Sequence, residues 1–515
     1  IEKLSPFYFF DSNLIQNVMK QKSIFLIILL VLPFIGFTQD GTLDPSFGTE
    51  GVVETDFYGF IDISLAIAQQ NNGKIISGGV IVTEKDNYMA SLVRYNSDGI
   101  LDNTFGDNGV VLYDLGGNYI DDLFISTLNN DDLITAGTYG NWGEKDFFIQ
   151  KFLANGDIDI DFGANGIVTT DFFNDNDILL RLIVQEDEKY LAIGRSEQRS
   201  DYFISFVRYL PSGELDTTFG INGKLSLDFN NNYPRSITAS LQFDNSIIVS
   251  FSESLNSNTE VLKIFKLFEN GDLDTSFGVD GIIEEQYNNV SNIVSILEVD
   301  PNNNILIVAT LYYGETNEFS TSISRFNENG VLDSSFGESG TFDFNLGFFA
   351  HKIIIQPNSR ILIGGGIPEF EGSAFILKRL FNNGSIDNSL VGTAYSYFQS
   401  SDIMLQSDGK ILATGSTYWF DGDEDFVLVR FNNDPLGVED QQLQNFTIYP
   451  NPSNGVFKIN HDFMESTFYQ ITDITGKLIQ TGSLAGEQTV LDLSAVQSGM
   501  YLFTASGNSF RLIKN

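Results

Sequence analysis

Aspartate recurs at nearly even intervals along this chain, at Asp44, Asp102, Asp159, Asp216, Asp274, Asp333 and Asp387. Six of the seven follow a cation by eight residues: Arg94, Lys151, Arg208, Lys266, Arg325 and Arg379. Arg430 stands in the same local pattern with no aspartate after it, and Asp44 has no cation before it. An acid and a base at fixed spacing can form an ion pair or one member of a ring of metal or ligand sites. A feature present once per repeat is more often architecture than a site. These residues are therefore assigned to the scaffold, with each carboxylate capping loop N–H groups and meeting the cation.

Residues that do not repeat are better candidates for a single binding site. Both tryptophans, Trp142 and Trp419, fall in segments that differ between repeats, TYGNWGEKDF and TYWFDGDEDF. Tyr139 and Tyr418 share those segments, and Tyr312 and Tyr313 lie in LYYGETNEF. Aromatic rings among carboxylates suit stacking on sugar rings, with hydrogen bonds from the acids; the rival reading has them cover loop backbone. Asp421, Asp423 and Asp425 alternate as calcium ligands do. Phe426 stands where an EF-hand has glycine, and Asn432 replaces its glutamate, so the stretch is a loose calcium site or a solvated acidic loop. Beyond calcium there, no cofactor is expected.

Other chemistry is thinly represented. The two histidines, His351 and His461, have no serine or cysteine partner at a recognisable spacing. Phosphate loops and H-E-x-x-H are absent. With no cysteine, thiol nucleophiles, disulfides and Cys-based zinc sites are excluded. No catalytic residue is assigned, although 68 acids offer many carboxylate pairs by chance. The formal charge of −40 disfavours nucleic acid and anionic lipid as partners.

The elements that position these residues are β-strands. The motif G-x-[LI]-D-x-x-[FL]-G-x-x-G starts at Gly41, Gly99, Gly156, Gly213, Gly271, Gly330 and Gly384, 54 to 59 residues apart. After it comes a short alternating run (d), as in GVVETDF; two more runs (a, b) flank Asn-Gly or Asp-Gly turns; a fourth (c) ends on the cation. Four strands repeated seven times predict an all-β, seven-bladed β-propeller. The first d has no c before it, and the last c, FVLVRFNND, has no d after it. Closure requires the strand after Gly51 to pair with the strand ending at Arg430, which leaves no open edge. An open solenoid is the alternative, and it would need capping repeats.

From Met19 the chain reads as a secretory signal peptide over 19–38, with 1–18 as upstream translation. The propeller is assigned to 39–434, a linker to 435–444 and a small β-sandwich to 445–515, with no membrane span after signal cleavage.

The motif GVLDSSFGESG, a hairpin such as SDGK-ILATG and a strand ending R-[FY] resemble the delta-60 β-repeat family of bacterial exported proteins. That resemblance implies a propeller-like fold and no settled activity. The strand order is similar to NHL-type propellers, which implies that strand a lines the central channel. YPNP at 449–452, DITGK at 473–477, LDLS at 491–494, SGMYLF at 498–503 and the final LIKN resemble the C-terminal sorting domain of the Bacteroidetes type IX secretion system. It implies export through that machinery to the medium or the cell surface. The expected function is an extracellular binding module for glycan or another ligand, such as a protein. The alternatives are a polysaccharide-acting hydrolase or lyase, and a structural or adhesive surface protein.

Overall fold

The computed structural model describes residues 40–57, 61–84, 87–114, 122–141, 143–229, 233–256, 258–316, 318–344, 348–369, 372–390, 395–396, 398–417, 424–433, 446–449, 453–461, 467–473, 477–484, 488–497, 499–505 and 508–514. The signal-peptide assignment, Trp142, Tyr418, Trp419, Asp421 and Asp423 lie outside them. No helix among the described residues is long and apolar enough to cross a membrane.

Alternating apolar residues and tight Gly turns give antiparallel strands in sets of four. In the first set, a is Asp62–Gln69, b Ile75–Glu84, c Asn87–Tyr95 and d Val110–Tyr113, paired in that order. Five more sheets follow the same order, their a strands being Leu123–Thr127, Asp177–Val184, Arg235–Leu241, Asn292–Val299 and Phe349–Ile355. The remaining sheet of this kind joins Phe398–Leu405, Ile411–Thr417 and Phe426–Phe431 to Val52–Thr55. Val52 sits opposite Val429, and Thr55 opposite Phe426. The chain thus supplies the outer strand of this sheet from Val52–Thr55, the first strand among the described residues. The first and last sheets also pack face to face, Ile67, Ile75 and Val93 meeting Leu412, Phe426 and Leu428.

Burial is graded across each sheet. Strands b and c are covered by neighbouring sheets on both faces, and Thr259–Leu267 is buried at every residue. Strand d is the half-exposed outer edge, and Val52–Thr55 is only four residues long. Short edges limit pairing with other chains. Strand a is innermost: a cavity of about 580 Å³ is lined by Ile67, Leu241, Val299, Ile353 and Ile403, with the Lys352–Asp402 ion pair at 3.1 Å.

Strand a carries a bulge in several sheets, at Ser64/Ala66, Leu179/Arg181, Ala350/Lys352 and Ser400/Asp402. The bulge pushes a carbonyl against strand b. At Gly194 a Cβ would lie 2.0 Å from Ile178 O, and at Gly79 it would lie 1.9 Å from Ile63 O. Only glycine fits there.

The C-terminal residues form two further sheets. One holds Phe446–Tyr449, Val456–His461 and Gln488–Asp492; the other Leu478–Leu484, Thr467–Asp473, Gly499–Ala505 and Asn508–Lys514. Phe457, Ile459, Ile471, Leu491 and Phe503 make their shared core.

Candidate functional site

The ring has two ends. Antiparallel order puts the a–b turns and the motif loops at one end, and the b–c and d–a connections at the other.

At the motif end each repeated aspartate meets its cation. Nε–Oδ2 distances are 2.7 Å for Arg94–Asp102, 2.8 Å for Arg208–Asp216 and Arg325–Asp333, 2.6 Å for Arg379–Asp387 and 2.7 Å for Arg430–Asp44. The lysines sit at 2.9 Å (Lys151–Asp159) and 3.9 Å (Lys266–Asp274). The other carboxylate oxygen accepts from the residue two further on, as Asp44 Oδ1 does from Ser46 N (3.1 Å) and Oγ (2.7 Å). That Ser or Thr recurs as Thr104, Thr218, Ser276, Ser335 and Ser389.

The guanidinium also ties neighbouring repeats together. Nη1 donates to Ala154 O from Arg94 (2.6 Å), to Glu269 O from Arg208 (2.6 Å) and to Ser97 O from Arg430 (2.5 Å). The motif phenylalanine stacks beneath it, Phe105 lying 4.6 Å from Arg94 Cζ and Phe47 4.4 Å from Arg430 Cζ. Burial pushes the Asp44 carboxyl up, but hydrogen bonds from Lys410 and Ser46, with the Arg430 charge, hold it down to about 2. Asp216 is likewise held at about 2: burial opposes, while Thr218, Arg208 and Lys189 prevail. These carboxylates are committed to partners within the protein.

The opposite end varies from sheet to sheet. Tyr139, Tyr312 and Tyr313 lie within strands, because b–c pairing runs on to Tyr139↔Asp146 and Tyr313↔Glu318. Tyr139 and Tyr313 pack on apolar cores, and Tyr312 stacks on Phe319 at 5.0 Å. A cluster that sequence reasoning missed stands at the third sheet. The Tyr233 ring, 40% exposed, has Arg195 Cζ 4.0 Å over its face, Arg235 Cζ at 5.9 Å and Tyr202 edge-on at 4.8 Å. Arg195 Nη1 donates to Pro234 O at 3.3 Å. The stretch YPR, residues 233–235, next to a repeat-specific loop was the available signal.

The same end gathers acids. Oxygens of Asp56, Asp62 and Asp425 lie within 4.8 Å of one another, as do those of Asp146, Asp171 and Asp177. Burial raises Asp62 to about 8, with Asp56 and Asp425 adding to the rise against the Phe57 N–H. Burial raises Asp177 to about 7, with Asp171 and Asp146 adding to it. Ser196 faces Asp177 across the strand pair without reaching hydrogen-bonding geometry. Of the three aspartates expected at calcium, only Asp425 is among the described residues, and it sits with Asp56 and Asp62. His351 marks the bulge in Phe349–Ile355; it touches solvent, yet surrounding protein lowers its pKa, with Asp402 opposing.

Residues 447–515 match the secretion system C-terminal sorting domain. Residues 70–105, 356–390 and 406–434 match the domain of unknown function (DUF5122) beta-propeller. No curated protein matches the chain. Similar solved structures include the polysaccharide lyase Uly1, 12% identical over 76% of this chain and 96% of that one, with a TM-score of 0.47. The beta-propeller domain of the Trilobed protease from Pyrococcus furiosus is 11% identical over 74% and 95%, with a TM-score of 0.40. A polysaccharide lyase titled PL25-Ulvanlyase is 10% identical over 73% and 95%, with a TM-score of 0.38. The family matches and the four-stranded sheets show a propeller-like protein with a type IX secretion sorting tail. Such a tail marks proteins secreted or held on the outer cell surface.

Proposed function

We propose that this exported propeller-like protein is an extracellular binding module, and that the ring end bearing the b–c and d–a connections receives a glycan. The observation that carries the reading is the Tyr233 cluster. A half-exposed ring backed by Arg195 and flanked by Tyr202 offers a sugar a stacking face beside a guanidinium. Among the described residues it occurs at one sheet, as a single ligand site requires. Trp142, Tyr418 and Trp419, which lie outside the described residues, are proposed as further ligand contacts, following in sequence the strands that end at Asn141 and Thr417. The opposite end is occupied by the repeated ion pairs.

The test is a glycan array with the full exported chain, followed by titration of each hit. Tyr233→Ala is expected to weaken binding by about 1–3 kcal/mol, the value of one stacked aromatic contact. Trp142→Ala and Trp419→Ala probe the neighbouring connections. If no glycan binds, or Tyr233→Ala binds as well as the parent, the reading fails. Release of new sugar ends in the same wells would move the protein to the polysaccharide-cleaving class.

A further inference from the structure

Two places in the ring gather three aspartates each, and corresponding positions supply them. Asp425 and Asp146 stand five residues before Arg430 and Lys151. Asp56 and Asp171 stand five residues after Gly51 and Gly166. Asp62 and Asp177 open the a strands of the sheets that follow. We propose that the two triads are calcium sites, each joining one sheet to the next through carboxylates of strands c, d and a.

The scaffold does not force these clusters. Asp114 and Asp228 occupy the same position after strand d elsewhere, but the matching c-strand residues there are Met89 and Phe203. Among the described residues, acids at all three positions come together only at these two junctions. Three carboxylates at this range do not all stay ionised unless a cation or a proton neutralises them.

The buried member of each set points to a ligand. Asp62 and Asp177 are fully buried. In each, Oδ2 accepts a backbone N–H, from Phe57 at 2.6 Å and from Phe172 at 2.7 Å. In each, Oδ1 is sealed from solvent and accepts no hydrogen bond. Buried polar atoms without a partner are rare in folded proteins, and coordination to a hard cation satisfies one.

The donor set selects the metal. Oxygen ligands alone favour calcium or magnesium over zinc or copper. Magnesium keeps several waters and binds through one or two carboxylates, whereas calcium accepts a set of carboxylates in flexible geometry, so three carboxylates gathered within 4.8 Å favour calcium. Lys224 stands beside the second triad, its Nζ donating to Asp171 O at 2.8 Å. It offsets one charge there but is engaged by a main-chain carbonyl. Export places both sites where millimolar calcium is available to modules of modest affinity.

The test is calorimetric titration of the chelator-treated full chain with calcium, using Asp62→Asn, Asp177→Asn, the double variant and Asp114→Asn. The parent is expected to bind two ions, each single variant one and the double variant none, with Asp114→Asn still binding two. Calcium at about 2 mM should raise the melting temperature of the parent and leave the double variant unmoved. Should either asparagine variant fail to fold, Asp425→Asn and Asp146→Asn, at half-buried positions, carry the same expected counts. A parent that binds no calcium, or a double variant that still binds two ions, overturns the proposal. Magnesium binding as tight as calcium overturns the choice of metal. None of these outcomes depends on whether a glycan binds.

Discussion

Arg430 Nε lies 2.7 Å from Asp44 Oδ2, although 386 positions separate them in the chain. In the other repeats the same contact spans only eight. A local motif thus becomes the closure of the ring, reinforced by Gly41 N donating to Asn432 O at 2.7 Å. Lys410 Nζ reaches the same Asp44 oxygen at 2.5 Å.

Breaking the closing pair should destabilise strongly. Arg430→Ala leaves Asp44 buried beside one remaining cation and is expected to cost about 3–5 kcal/mol. Arg325→Ala, whose partner Asp333 is 25% exposed, should cost less. Urea unfolding of the two variants against the parent ranks them, and equal losses would contradict the argument.

Acid should loosen the motif end. Asp44 and Asp216 have folded-state values near 2, below the ordinary 3.8. Their contribution is therefore fully present above the ordinary carboxylate range and is lost as pH falls from about 4 toward 2. Asp44→Asn should be less stable than the parent near pH 6 and should lose less on acidification. Melting temperatures at pH 6, 4 and 3 measure both effects.

Lys266 is the weakest of the seven pairs, at 3.9 Å from Asp274. Arginine at this position would bring a fork matched to the carboxylate and a plane to stack on Phe277. Lys266→Arg is expected to stabilise by about 1 kcal/mol. Thermal unfolding reports it, and a lower melting temperature would show that the pocket is set for lysine.

Gly194→Ala should cost about 2 kcal/mol or more, since its Cβ would meet the Ile178 carbonyl, which is backbone and cannot swing aside. Gly499→Ala, whose Cβ would meet nothing within 4 Å, serves as the neutral control. Denaturant midpoints distinguish the two.

Much of the fold was legible because its spacing repeats. The motif glycines, the Asp-Gly turns and the cation eight residues before six of the seven aspartates mark strand order, and the unpaired first d and last c point to the Val52–Val429 pairing. Contacts between repeats were less legible. The Arg94 hydrogen bond to Ala154 O crosses sheets and leaves no mark beyond the arginine itself. The bulge opposite Gly194 shows in sequence only as a glycine inside a strand. Tyr139 and Tyr313, expected on loops, sit in strands because hairpin pairing continues past them. Asp56, Asp62 and Asp425 come together through ring closure, and their linear mark is the repeat position each shares with Asp171, Asp177 and Asp146. Tyr233 meets Arg195 and Tyr202 only in the folded chain, 38 and 31 positions away in sequence, so no local motif beyond the YPR stretch marks it.

The pairing of Val52–Thr55 with Phe426–Val429 also sets a clock. The two segments leave the ribosome 374 residues apart, which at about 5–20 residues per second is an interval of roughly 20–75 s. Throughout it Val52–Thr55 lacks the partner strand that it has in the folded protein. Completion comes only when the last sheet is made. Until Phe426–Val429 is available, the hydrogen-bonding edge of Val52–Thr55 is open to pairing with another chain.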